Sequence, residues 1–204
     1  MAELKLTKTE LRVQQIKLAQ LRKYLPTLQL KKALLQLEVN TVSEEIAKQA
    51  QELSSAREKV EKYVLLFSDQ SASELIASVS IESVQKSYEN IAGVEIPIFE
   101  KVQFINPQYS FFDTPVWLDS AIAGVQGLII IRERLALSNE KKRALEKELR
   151  EVSIRVNLFE KIMIPRALAN IRKIRIFLGD QQLTAVAQAK VAKRKILRKK
   201  EGKL

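Results

Sequence analysis

Residues 11–67 read LRVQQIKLAQLRKYLPTLQLKKALLQLEVNTVSEEIAKQAQELSSAREKVEKYVLLF, and a seven-residue ladder runs through them: Leu11, Leu18, Leu25, Lys32, Val39, Ile46, Leu53, Val60 and Phe67. Three residues after the first eight rungs stand Gln14, Leu21, Leu28, Leu35, Val42, Gln49, Ala56 and Tyr63. Alternating spacings of three and four, sustained this long, mark a coiled-coil seam, because a slightly underwound helix keeps such a stripe on one side. A helix over residues 4–67 would be roughly 95 Å long, beyond the reach of one compact domain, so an extended molecule is predicted. Pro26 follows the seam residue Leu25 and falls on the outside. It removes one helical hydrogen bond and predicts a kink without a break.

A second seam lies in the C-terminal half. Leu145, Leu149, Val152, Val156, Phe159 and Met163 keep the same alternation, and the spacing then becomes 4-4-3-4 through Ala167, Ile171, Ile174 and Leu178. Read as a stutter beside Pro165, this predicts a locally unwound, straighter supercoil. Thr114-Pro115 looks like an N-cap followed by proline in the first helical position, so the second long helix is expected to begin there. Two such helices joined by about fifty residues pair most simply antiparallel within one chain, each hiding the other's stripe. A parallel dimer of two chains satisfies the same heptads.

The fold class expected is therefore mainly α: a long antiparallel two-helix coiled coil with a small middle module. The predicted divisions are an N-terminal helix over 1–67, a module over 68–115, and a C-terminal helix with a basic tail over 116–204. Within the module, Ser71-Ala-Ser-Glu74 fits a capping box for a short helix. Leu75, Ile76, Val79, Val84 and Tyr88 would be its apolar positions and Gly93 its end. Val94 to Phe104, a turn at Asn106-Pro107, and Tyr109 to Phe112 look like a β-hairpin, with Pro97 confining its strand to an edge. Phe99, Phe104, Phe111 and Phe112 all fall here. They form either a miniature core or a docking site for a partner.

Composition narrows the chemistry. The chain has no His and no Cys, so thiolate catalysis, the usual zinc sites and imidazole proton transfer are excluded. Gly-rich phosphate loops are missing, and the carboxylates alternate with Lys and Arg as on solvated coiled-coil flanks. No catalytic, cofactor-binding or metal residues are expected. Met1-Ala-Glu-Leu-Lys5 is unlike a signal peptide, and the richest apolar run, residues 121–131, is too short to span a bilayer, so an intracellular protein with no direct membrane insertion is predicted. The net charge of +11 is concentrated at the C-terminus, where Lys190, Lys193, Arg194, Lys195, Arg198, Lys199, Lys200 and Lys203 face Glu201 alone. That tail fits a solvated helix end, a phosphate contact with nucleic acid, or insertion into an anionic protein cavity. It holds no aromatic side chain on which bases could stack.

Arg155-Val-Asn157, Phe159-Glu160, Ile164-Pro-Arg166, Ile171 and Ile174 resemble the C-terminal motif R-V-N-x-L-E, I-P-R, I-x-x-I of the D subunit of the V-type and A-type rotary ATPases. Leu6-Thr-Lys8 and the Leu- and Lys/Arg-rich helix after it are similar to that family's opening. The resemblance implies a non-catalytic central rotor shaft, cytoplasmic and peripheral to the membrane. Its implied partners are the ring of catalytic and nucleotide-binding subunits, a small companion stalk subunit, and an adaptor above the membrane rotor. No direct nucleic-acid partner is implied. The alternatives from a different class are a basic coiled-coil nucleic-acid binder and a scaffold. On the rotor reading, Pro165 and Arg166 are contact candidates for the ring, and Lys5, Lys8 and Arg12 are expected to join Lys190, Lys193, Arg194 and Lys195 at one tip. Arg166 is also readable as a solvated side chain beside a helix irregularity.

Overall fold

The structure is a computed structural model that describes residues 4–62, 79–105 and 115–201. Its elements are α1 (Lys8–Glu61), β1 (Ile81–Ile91), β2 (Val94–Phe104), α2 (Leu118–Asn157), a π-helical segment (Leu158–Met163) and α3 (Ile164–Glu201). Thr7 starts α1: its Oγ1 accepts the Glu10 N–H at 3.2 Å, and Glu10 sits at the third helical position near the positive end of the helix dipole. Burial follows the seam. Every described rung from Leu11 to Val60, and every companion from Gln14 to Ala56, is buried or half-buried. α1 passes unbroken through Pro26, which is exposed as its outward position requires. Just beyond it, the Thr27 hydroxyl donates to the Tyr24 carbonyl at 2.7 Å.

The chain divides into two compact units, one of Met1–Leu30 with Val152–Leu204 and one of Lys31–Glu151. In the second unit α1 and α2 run antiparallel: Lys31 meets Glu148 at 2.6 Å, while far along both helices Val60 abuts Gly124. Leu35, Val39 and Val42 of α1 and Leu137 and Leu145 of α2 are buried there. Burying one such leucine contributes about 2–3 kcal/mol. The partly exposed Lys31–Glu148 pair contributes about 1 kcal/mol or less and serves mainly to fix register. At the other end of this unit Val79, Leu118, Ala121 and Ile122 form a small core, with Trp117 packed against it. Pro115 opens a turn whose carbonyl accepts the Leu118 N–H, so α2 begins at Leu118, slightly later than the proline implies.

The middle segment differs from expectation in two ways. Residues 81–91, read as the latter part of a helix ending at Gly93, form a strand; the capping box at Ser71–Glu74 lies outside the described residues. The antiparallel partner of β2 is β1, not the stretch Tyr109 to Phe112, which also lies outside the described residues. The physical reason for the misreading is visible in β1, where Ile81, Val84, Tyr88 and Ile91 are spaced 3-4-3, a helical period. The strand does not bury them on one face: Ile81 and Tyr88 are exposed, and the pairing carries two irregularities, Glu82 extra on β1 between Ile81 and Ser83 and Glu100 extra on β2 between Phe99 and Lys101. Pro97 pairs opposite Tyr88 and, in a two-stranded sheet, stands on an edge as expected.

The hairpin turn is Ala92-Gly93, with φ of 52° and 84°, and the Gly93 N–H donates to Asn90 Oδ1 at 2.9 Å. Positive φ at both residues is the pattern of a type I′ turn, which matches the twist of the strands but strains alanine. Ala92→Asn is therefore expected to stabilise the protein by about 0.5–1 kcal/mol, read as a rise in thermal midpoint.

The irregularity near Pro165 is a π-turn. From Phe159 a strict heptad would place the next seam positions at 163, 166, 170, 173 and 177, yet the covered residues are Ala167, Ile171, Ile174 and Leu178, each one later. The seam thus holds a surplus of one residue. Where the stutter was expected lies the segment Leu158–Met163, in which the Ile164 N–H donates to the Phe159 carbonyl, five residues back. Pro165 supplies no N–H of its own. The surplus is absorbed within one wide turn, so the stripes on either side of it both keep their heptad spacing.

Candidate functional site

The unit of Met1–Leu30 with Val152–Leu204 carries most of the predicted contact residues. Lys5, Lys8, Arg12, Pro165, Arg166, Lys190, Lys193, Arg194 and Lys195 are all exposed. The structure brings Lys5 to Arg166: both line a cavity of ≈ 690 Å³ beside the π-turn, with Lys17 as a third cation and Leu158, Ile162 and Met163 as its apolar wall. Glu10 is the carboxylate at this cavity, and its Oε1 accepts a hydrogen bond from Gln14 at 2.8 Å.

The single basic tip expected from Lys5, Lys8, Arg12 and the Lys190 to Lys195 cluster is not formed. Lys5 shares its cavity with Asn170, and twenty residues of continuous helix, roughly 30 Å, separate Asn170 from Lys190. α3 outruns its partner. Every residue from 180 to 199 is exposed, including Leu183 (72%), Val186, Val191, Ile196 and Leu197. Heptad counting pairs helices but does not say where the shorter one stops.

A second apolar stripe escaped the sequence reading. Ile154, Leu158, Ile162 and Leu168 stand exposed along α2, the π-turn and α3, outside the seam. In the other unit Leu34 and Leu37 do the same on α1. The signal was available as a four-residue repeat, Ile154-Leu158-Ile162, running beside the seam.

In the unit of Lys31–Glu151 the hairpin lies along the helices. Arg134 Cζ stands 5.4 Å from the centre of the Phe99 ring, Lys86 reaches Glu140 at 3.7 Å, and the turn at Gly93 approaches Lys31 Nζ. Phe99 and Phe104 are half-buried, so part of each ring packs inward and part remains accessible. Phe111 and Phe112 lie outside the described residues. Beneath the hairpin a cavity of ≈ 410 Å³ includes Gln49, whose buried Oε1 has no hydrogen-bond partner among the described residues. No described helix is long and apolar enough to cross a membrane.

Paired helices with a closed seam, and cationic and apolar bands left outside it, define a coiled-coil protein whose distinctive surfaces face outward. The chain belongs to the ATP synthase D subunit family, whose model matches residues 10–194. The V-type ATP synthase D subunit of Chlamydia felis is 46% identical over 201 residues, covering 98% of this chain and 97% of that protein. The proteins of the same name from Chlamydia caviae and Chlamydia trachomatis serovar L2 are 45% and 42% identical over 201 residues, covering 98% of this chain and 97% and 99% of their own lengths. This family membership decides between the rotary ATPase and the nucleic-acid-binding or scaffold alternatives in favour of the ATPase.

Proposed function

We propose that the chain is the central rotor shaft of a V/A-type ATPase, coupling ATP hydrolysis or synthesis in a catalytic ring to ion translocation through a membrane rotor. It works without catalytic chemistry of its own, in the cytoplasm and peripheral to the membrane. The observation that carries this reading is the continuation of α3 past its covering helix, which leaves twenty consecutive exposed residues, cations and branched apolar side chains together. A helix presenting both on all sides fits a cavity made by other subunits better than it fits water.

On this reading Lys190, Lys193, Arg194 and Lys195 meet the catalytic and nucleotide-binding subunits at the end of the shaft. Lys5, Lys8, Arg12, Pro165 and Arg166 meet them lower down. The hairpin, with Phe99 and Phe104, and the neighbouring Phe111 and Phe112 serve the small companion stalk subunit and the adaptor above the membrane rotor. A shaft whose faces differ presents each ring site with a different contact energy as it turns, and a few kcal/mol is enough to bias which conformation each site adopts. Reconstitution tests the assignment. A bead attached to this chain, in a complex of the other ATPase subunits fixed to a surface, is expected to rotate when ATP is added. A complex that assembles and couples ATP turnover to ion movement without the chain would sink it.

A further inference from the structure

We propose that Leu158–Met163 is a compliant joint, a one-residue surplus held as a π-turn, at which this helix yields to twist before the covered stripes on either side of it do. The joint is a property of the chain alone and does not depend on the rotor assignment. Three observations converge on it. The seam carries one residue too many, and one residue corresponds to about 100° around an α-helix, so this single turn carries the whole angular misfit between the two covered stripes. No residue of the segment is fully buried, so small changes in winding confined to it displace none of the buried side chains on either side. The hydrogen bonding is also incomplete. The Ile164 N–H is engaged by Phe159 and Pro165 has none, which leaves the Glu160 carbonyl without either of its ordinary helical donors.

Pro165 holds the joint open. Ordinary α-winding would drive its ring against the carbonyl four residues earlier, that of Lys161, so the segment cannot relax by tightening at this point. Small changes in winding confined to the turn move the exposed Leu158 and Ile162, while Val152 and Val156 before it and Ala167, Ile171 and Ile174 after it stay anchored by their burial. In a shaft loaded at both ends, twist collects at such a turn before it reaches the heptads.

Hydrogen exchange on the full-length chain reads this directly. Backbone amides from Leu158 to Arg166 are expected to exchange at least about tenfold faster than those of Val152–Asn157 and of Ala167 to Ile174. Deleting Lys161 together with Pro165→Ala removes the surplus and leaves Phe159, Ile164, Ala167, Ile171, Ile174 and Leu178 in strict 4-3-4-3-4 spacing. That variant is expected to melt within about 3 °C of the parent, with exchange at the former joint slowed to the level of its flanks. Deleting Arg172 instead draws Ile174 and Leu178 out of the seam and is expected to lower the midpoint by about 5 °C or more. The proposal is overturned if the parent's amides at 158–166 are as protected as their flanks. It is equally overturned if the Lys161 deletion with Pro165→Ala destabilises as much as the Arg172 deletion or does not fold.

Discussion

Leu145→Asp is expected to abolish the cooperative thermal transition of the unit Lys31–Glu151, whereas Leu37→Asp leaves it almost unchanged. Leu145 is 0% exposed and lies on α2 in the same buried seam as Leu35 and Val42. Removing its side chain forfeits about 2–5 kcal/mol of burial and packing. An unpaired carboxylate in its place adds several kcal/mol of desolvation, and Glu148, one turn further on, repels it. The sum is comparable with the whole stability of a domain, about 5–15 kcal/mol. Leu37 is 61% exposed, and a polar substitution there is worth about 0.5 kcal/mol or less. Melting curves followed by far-UV circular dichroism separate the two. Equal destabilisation would show that the seam is misplaced.

Truncation after Gly179 is expected to leave the remaining fold intact and to remove the chain from the ATPase. The residues lost, as far as Lys199, are all exposed and cover no core, so the thermal midpoint should move by no more than about 2 °C. The same cut deletes the concentrated positive charge and the apolar side chains Leu183, Val186, Val191, Ile196 and Leu197. Co-purification with the other ATPase subunits, and ATP-driven ion transport by the reconstituted complex, are expected to fall at least about tenfold, the equivalent of about 1.4 kcal/mol of contact energy. Full assembly by the truncated chain would assign the contact with the other ATPase subunits to the surfaces around Arg166 instead.

The seam was legible residue by residue because a long helix pair repeats one physical requirement dozens of times, and Lys32, Gln14 and Gln49 are its few polar interruptions. The strand at 81–91 was not. Its apolar residues fall at helical spacing, and the sheet takes them with Ile81 and Tyr88 exposed and with two extra residues in the pairing, Glu82 and Glu100. No local preference announces them. Its turn was obscured as well, since Ala92-Gly93 lacks the asparagine that usually marks such a corner, and Gly93 passes equally for a helix end. At Pro165 the sequence located the irregularity but not its form, because shifted apolar spacing can be met by unwinding two helices or by widening one turn. The contact residues divided similarly. Arg166 and Lys5 were named for separate places and share one cavity, Lys17 went unnoticed beside them, and the N-terminal and C-terminal cations proved to be far apart along α3.

A helix covered by nothing keeps its form by its own hydrogen bonds, and the stretch beyond Gly179, about six turns, has little else. Lys190, Arg194 and Arg198 repeat at four-residue intervals, as do Lys195 and Lys199, so each pair opposes the coil-to-helix transition by about 0.2–0.5 kcal/mol. Their place near the carboxyl end of the helix offsets part of this through the dipole. The end of the chain therefore sits close to the helix–coil balance, and an acidic surface placed against it would shift that balance further towards helix. Ordering on contact lowers the affinity gained per unit of buried surface. A grip that is broad yet loose can be exchanged from one neighbour to the next, which is what a part that must keep moving requires.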